Sequence, residues 1–128
     1  EEELDKMDEW NVSHHTENGL IEKVRKSSID VEKAERMTCD FLAKYCEPNT
    51  ALLCGNTIGT DRLFLFFHMQ ELERFLHYRS IDVTSIKELT RRWYPKGKKY
   101  RKNSGHRALD DIKGSIEELE LYRENFFR

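Results

Sequence analysis

The stretch LCGNTIGTDR, residues 53–62, decides the fold class. A short apolar run from Ala51 to Cys54 leads into a turn that contains two glycines, and Asp61 opens the helical pattern that follows. An apolar run of this length, bounded by turn residues, is typical of a buried strand. The stretch therefore predicts a strand, a turn and a helix, which is the building unit of an α/β protein.

Helical patterns fill most of the remaining sequence. Apolar residues recur at helical spacing through residues 1–46, and Asp30 is predicted to cap the third helix there. Further predictions are a helix from the cap Thr60 to residue 69, a short helix over 70–76, a strand over 78–83, a helix over 85–93 capped by Thr84, and a last helix over about 109–126. The predicted core includes Leu63, Phe64, Phe66 and Phe67, and then Leu109, Ile112, Ile116, Leu119 and Tyr122. Two strands make a poor sheet, so the beginning of the fold is expected to be missing.

Composition bounds the function classes. A chain of 128 residues fits one domain with a modest core. Its 22 basic and 24 acidic residues give a net charge of -2, so any contact with nucleic acid must use a local patch. Basic residues cluster at Lys96, Lys98, Lys99, Arg101, Lys102 and Arg107. Both a solvated connector and a phosphate-binding segment explain that cluster.

The cysteines and the hydropathy indicate an intracellular protein. Cys39, Cys46 and Cys54 are odd in number and lack metal-type spacing, which indicates reduced thiols and excludes a zinc site. No apolar run approaches the roughly 18 residues of a membrane span, and the acidic start is unlike a targeting peptide. We expect a soluble protein without a membrane partner, in the cytoplasm or in a eukaryotic mitochondrion.

The segment GHRALDD, residues 105–111, sets a histidine and two aspartates at the start of the last predicted helix. A neutral imidazole takes protons from water near pH 7, and carboxylate oxygens hold divalent cations. Helical periodicity would pair His106 with Asp110, four residues later on one face. Asp110 is equally suited to capping the free N–H groups of the helix. The segment therefore suggests a general base beside a metal ligand.

Four blocks of sequence together resemble the oligoribonuclease family. They are residues 7–12, 54–62, 77–84 and 105–112, which follow the family's order over nearly the whole chain. This family belongs to the DEDDh branch of the 3′-to-5′ exonucleases and has an RNase H-like fold. The resemblance implies an α/β, RNase H-like exonuclease domain that is mostly helical here. Residues 1–128 would form a single incomplete domain without the N-terminal strands of the family.

The resemblance also implies a catalytic site. His106 is similar to the general base of the family, and Asp61 and Asp111 are similar to two acidic metal ligands. The family spacing selects Asp111 and leaves Asp110 as a cap. In the complete site four carboxylates hold two Mg²⁺ or Mn²⁺ ions. Because the Asp-x-Glu strand that supplies the other two ligands is absent, we expect the chain alone to be inactive.

The implied substrate is short single-stranded RNA, degraded from its 3′ end to 5′-mononucleotides. The resemblance assigns base stacking to Trp10, which is worth roughly 1–3 kcal/mol per base, with His15 nearby. The other implied substrate positions are Asn56, Thr57, Tyr78, Arg79 and Thr84. Four of these, all but Asn56, would cap the terminal phosphate, with Tyr78 acting from the partner subunit of a homodimer. Family members usually carry serine at positions 57 and 84, so the hydroxyl is kept. The cap would limit the substrate to dinucleotides or a few residues.

Two alternatives remain open for this sequence. A noncatalytic module would keep the nucleotide contacts and the dimer surface and would lack turnover. A helical interaction protein would use Asp61 and His106 merely as surface residues.

Overall fold

The computed structural model describes residues 2–101 and 108–127. It divides the chain into two compact units, Glu1–Ala34 and Glu35–Arg128. The helices that begin in the first unit are α1 (Glu2–Asp5), α2 (Glu9–Glu17), α3 (Leu20–Lys26) and α4 (Val31–Leu42). Side-chain caps explain where two of them start. Asp8 accepts a hydrogen bond from the Asn11 N–H at 2.8 Å, and Asp30 accepts one from the Lys33 N–H at 2.8 Å. The predicted cap at Asp30 is confirmed.

The second unit is built around two parallel strands. Its elements are β1 (Leu52–Gly55), α5 (Gly59–His68), α6 (Gln70–Phe75), β2 (His77–Asp82), α7 (Val83–Trp93) and α8 (Ala108–Phe126). Helices α5 and α6 form the crossover between the strands, as parallel pairing requires. Cys54 pairs with Ile81 and Gly55 with Asp82. Both strands therefore end at the same edge, and the loops that follow them lie side by side.

The core of this unit lies between its helices and the two strands. Helices α7 and α8 pack on each other, and each contacts β1. Among its described residues, the buried apolar side chains are Ile58, Leu72, Leu76, Val83 and Tyr122. The start of the short helix α6 is held by a side chain of α4. The Glu35 carboxylate accepts hydrogen bonds from the N–H groups of Glu71 at 2.7 Å and Leu72 at 3.0 Å. That carboxylate satisfies two of the four N–H groups that a helix start leaves unpaired.

The element types agree with the predictions, and three predicted caps are wrong. Asp110 is the third residue of α8 and lies inside that helix, so it is not the cap before it. Helix α7 begins at Val83, and its cap is Asp82, which accepts the Thr84 N–H at 2.9 Å; Thr84 itself is inside the helix. Helix α5 begins at Gly59 after Ile58 and has no side-chain cap, so Thr60 does not cap it. The carboxylate of Asp82 outcompetes a hydroxyl at α7 because an ionised acceptor makes the stronger hydrogen bond.

The predicted core of α5 is also wrong. Leu63, Phe64, Phe66 and Phe67 are each at least 49% exposed. The predicted burial of Leu109, Ile112 and Ile116 on α8 is likewise wrong, whereas Tyr122 is buried. Strand β1 is not fully covered either, since Leu52 is exposed. An open apolar groove of about 390 Å³ runs beside β1 and α5, with Asp61 on its lining. The apolar residues of α5 and α8 follow helical spacing as predicted, but the two strands cover only part of these apolar helix faces.

Within residues 2–101 and 108–127, no helix is long and apolar enough to cross a membrane.

Candidate functional site

One carboxylate oxygen ties together the loops that follow the two strands. Oδ1 of Asp82 accepts the N–H of Thr57 at 2.9 Å and the N–H of Thr84 at 2.9 Å. Asp82 ends β2, and Thr57 lies two residues beyond the end of β1. Hydrogen bonds from backbone N–H groups to an ionised carboxylate are stronger than neutral ones. Asp82 therefore holds the two loops together at the carboxyl ends of the strands, which is the edge where open α/β sheets bind ligands.

The side chains of the same two threonines converge. Oγ1 of Thr57 lies 3.1 Å from Oγ1 of Thr84. Thr57 adopts a left-handed conformation with a φ of 56°, which is costly for a β-branched residue. Each hydroxyl has one rotatable proton to donate. The pair can therefore turn both protons toward one anionic group placed above it.

A buried carboxylate supports this edge from behind. Glu118 on α8 is 3% exposed, and its Oε2 accepts a hydrogen bond from Nδ2 of Asn56 at 2.8 Å. Its Oε1 accepts one from the Tyr122 hydroxyl at 2.7 Å and lies 3.3 Å from Nζ of Lys87. A buried charge is tolerated when its oxygens are paired in this way. Asn56, the residue before Thr57, is thus held in place by α8.

The phenol of Tyr122 makes the stability of this network depend on pH in the alkaline range. Burial of the ring, and next the hydrogen bond to Glu118, raise the pKa of Tyr122 well above its ordinary value of about 10. The unfolded chain then releases this proton first, so the contribution of Tyr122 to stability is complete below about pH 10 and is lost as the pH rises above it. We expect the stability difference between the wild type and Tyr122→Phe to shrink between about pH 9 and pH 11. Urea denaturation at each pH measures the difference.

The exposed phenol of Tyr45 provides the control for that experiment, because Tyr45→Phe removes a hydroxyl from the surface. A difference between wild type and Tyr122→Phe that is the same at every pH would contradict the assigned shift.

Asp61 lies in the first turn of α5 and is exposed. No described residue forms a hydrogen bond or an ion pair with its carboxylate. The adjacent Arg62 fixes this helix to β2, since its Nη2 donates to the carbonyl of His77 at 2.8 Å and lies 3.1 Å from Oγ of Ser80. The aspartate is therefore carried by an anchored helix and has oxygens available to a cation.

The other predicted acidic residues lie at the start of α8. Asp111 is half-buried in the first turn of that helix, and Asp110 beside it is exposed. His106, the predicted general base, lies outside the described residues. Among the residues that are described, no group of three or more histidine, cysteine, aspartate or glutamate side chains could hold a metal ion. Carboxylates are the right donors for Mg²⁺ or Mn²⁺, but their number here falls short of a complete site.

Tyr78 and Arg79 project from β2. Tyr78 is 75% exposed and stacks on His77, with ring centroids 4.5 Å apart. Cζ of Arg79 lies 5.4 Å from the centre of the Tyr78 ring. The imidazole of His77 accepts the N–H of Arg79 at 3.0 Å. The three side chains form a small cationic and aromatic patch that is open to a ligand or to another chain.

Trp10 and His15 belong to the unit Glu1–Ala34. The Trp10 indole is 68% exposed and stacks nearly parallel on His14, with centroids 5.1 Å apart. His14 in turn meets His15 edge to face at 5.4 Å. The indole is therefore held at a fixed angle with much of its surface accessible.

The residues that hold the site in place are not among those predicted from the sequence. Asp82 carried a usable signal, because an aspartate directly before a helical pattern is a strong cap candidate. Glu118 also carried one, because it lies four residues before Tyr122 on the face predicted to be buried. Nothing in the sequence indicated that Asn56 would bind Glu118 across 62 positions.

Comparisons with known proteins identify relatives of this chain. An exonuclease family model of the RNase T type matches residues 1–119. The chain is 51% identical over its full length to an oligoribonuclease of Vibrio vulnificus and 48% identical to one of Aeromonas hydrophila, and it spans 71% of each. It is 50% identical over 98% of its length to an oligoribonuclease of Ruthia magnifica, again covering 71% of that protein.

Proposed function

Because this chain belongs to the oligoribonuclease family of exonucleases, we propose that its site serves the 3′-to-5′ degradation of RNA of two to a few nucleotides to 5′-mononucleotides when all four metal ligands of the family site are present. Its fold is the RNase H-like exonuclease fold, mostly helical with a small parallel sheet. We assign residues 1–128 to a single domain of that fold.

The threonine pair is the observation that carries the substrate assignment. Two hydroxyls 3.1 Å apart at the carboxyl ends of parallel strands suit a terminal phosphate. Arg79 would add charge to this cap, and Asn56 would hold the loop from the side. A capped phosphate leaves no path for a longer chain beyond it. The geometry therefore favours very short RNA.

Asp61 and Asp111 would supply carboxylates to Mg²⁺ or Mn²⁺, and His106 would take the proton from the attacking water. A bound ion of this kind stabilises developing negative charge and lowers the pKa of its water. Two carboxylates are half of the family set of four, and the described residues offer no cluster of three. We therefore propose that these 128 residues bind the ions weakly and turn over little or no RNA by themselves.

This shortage of ligands favours a second candidate function, a nucleotide-binding or dimerisation module of the same fold. Such a module would keep the phosphate cap and the stacking surface of Trp10, with His15 as a nearby contact. The exposed ring of Tyr78 fits a role in a homodimer, where it would reach the phosphate of the neighbouring subunit. Three free cysteines fit a reducing compartment such as the cytoplasm.

Two measurements test the proposal. In EDTA, the chain should bind a labelled 5′-phosphorylated diribonucleotide by calorimetry and not cleave it. With Mn²⁺ alone as the probe, ion binding should be weak, and Asp111→Ala should abolish it while the matched neighbour Asp110→Ala keeps it. Failure to bind the dinucleotide would contradict the substrate class. Rapid Mn²⁺-dependent release of mononucleotide by the 128 residues would contradict the proposed inactivity.

A further inference from the structure

The spacing of the two hydroxyls depends on a residue that neither of them touches directly. Oδ1 of Asp82 holds the N–H of Thr57 and the N–H of Thr84, each at 2.9 Å. Thr57 and Asp82 are 25 positions apart in the sequence, and the paired parallel strands β1 and β2 end beside each other. A single oxygen atom thus serves as a clip between the strand ends.

The clip also explains an otherwise costly backbone. Thr57 has a φ of 56°, which threonine adopts only when its surroundings impose it. The hydrogen bond from its N–H to Asp82 stabilises that conformation, and the conformation turns Oγ1 toward Thr84. Without the clip, Thr57 would relax toward a negative φ and carry its hydroxyl away. The distance between the hydroxyls would no longer be set.

A carboxylate is an unexpected neighbour for a phosphate, because two negative charges repel. Asp82 is half-buried, and its Oδ1 is occupied by two N–H donors, so its charge is partly compensated where it lies. It acts through the backbone and contacts no ligand. Asparagine would keep the carbonyl acceptor and remove the charge, whereas alanine would remove the acceptor.

We propose that Asp82 is a positioning residue that sets the Thr57 and Thr84 hydroxyls for the 5′-phosphate of a short RNA. This inference rests on the phosphate cap of the proposed function. According to this inference, the preference for RNA with a 5′-phosphate depends on the hydrogen bonds that Oδ1 of Asp82 accepts. This role is distinct from the role of Asp82 as the cap of α7. The two roles are separable, because capping needs the Thr84 N–H and the clip needs the Thr57 N–H as well.

The test compares the dissociation constants of 5′-phosphorylated diadenylate and of unphosphorylated diadenylate, measured by calorimetry in EDTA. The wild type should prefer the phosphorylated form by about tenfold or more, as charge-assisted hydrogen bonds do. Asp82→Ala should reduce the preference to near one. Asp82→Asn should keep it within about threefold of the wild type, since Oδ1 still accepts both N–H groups.

Asp82→Ser guards against a variant that merely fails to fold. Serine is a good helix cap, and its shorter side chain reaches the Thr84 N–H without spanning to Thr57. We expect Asp82→Ser to keep a cooperative unfolding transition and to lose the phosphate preference. An unchanged preference in a folded Asp82→Ser or Asp82→Ala would overturn the inference. A wild type without any preference would instead refute the phosphate cap, as would an unchanged preference in the double variant Thr57→Val with Thr84→Val.

Discussion

Replacing Glu118 by alanine is expected to lower the free energy of unfolding by about 2–4 kcal/mol. The carboxylate is 3% exposed and accepts hydrogen bonds from Asn56 and from Tyr122. Its removal leaves a buried phenol and an amide without an acceptor, and it opens a small cavity. Lys87 is half-exposed and can turn to water, so its ion pair adds little to the loss. Urea denaturation of wild type and variant measures the change.

The neighbouring Glu117 supplies the matched control. Glu117 accepts a hydrogen bond from the Tyr100 hydroxyl on the exposed side of the same helix. Glu117→Ala should therefore cost less than about 1 kcal/mol. Glu118→Gln keeps an oxygen for Tyr122 and should lie between the two alanine variants. Equal losses for Glu117→Ala and Glu118→Ala would show that the buried network does not hold the edge of the sheet.

Replacing Thr57 by glycine is expected to stabilise the fold by about 0.5–1 kcal/mol and to weaken binding of a 5′-phosphorylated dinucleotide by about tenfold. Glycine adopts a φ of 56° without steric cost, which outweighs its greater freedom in the unfolded chain. The same change removes one of the two hydroxyls that lie 3.1 Å apart. Stability and ligand binding should therefore change in opposite directions, as measured by denaturation and calorimetry.

Asn49→Gly is the control for the change in stability, and Thr57→Ser is the control for the change in ligand affinity. Asn49 also has a positive φ, of 62°, but asparagine tolerates this region, so Asn49→Gly should leave stability nearly unchanged. Thr57→Ser keeps the hydroxyl and should keep most of the affinity for the phosphorylated dinucleotide. A destabilised Thr57→Gly would mean that the threonine side chain contributes more to the fold than its backbone conformation costs.

The elements could be predicted from local pattern because their signals are local. Apolar spacing and turn residues lie within a few positions of each other, and both strands and α5 to α8 were found within two residues of their bounds. Burial could not be predicted in the same way. The apolar face of α5 is evident in the sequence, but its exposure depends on how many strands cover it. Phe66 and Phe67 belong to this face and are exposed.

In the candidate site, too, some residues could be predicted from the sequence and others could not. The hydroxyls at 57 and 84 were singled out from the resemblance, and the structure brings them together. The carboxylates that hold this edge were missed, because hydrogen bonds between Asp82 and Thr57, or between Glu118 and Asn56, join residues far apart in sequence. Such pairings follow from strand register and helix packing, which a single sequence specifies only through the whole fold. The roles of Asp61, Asp111 and His106 stay predictions.

The hydrogen bond between Asn56 and Glu118 closes a loop of 62 positions. Closing a loop of that length costs conformational entropy, and contacts between distant residues slow folding. Local helices such as α7 can form early, whereas the Asn56 loop gains its partner after α8 has docked. The contact that holds Asn56 is therefore formed late, and a nascent chain would lack it until α8 had been synthesised.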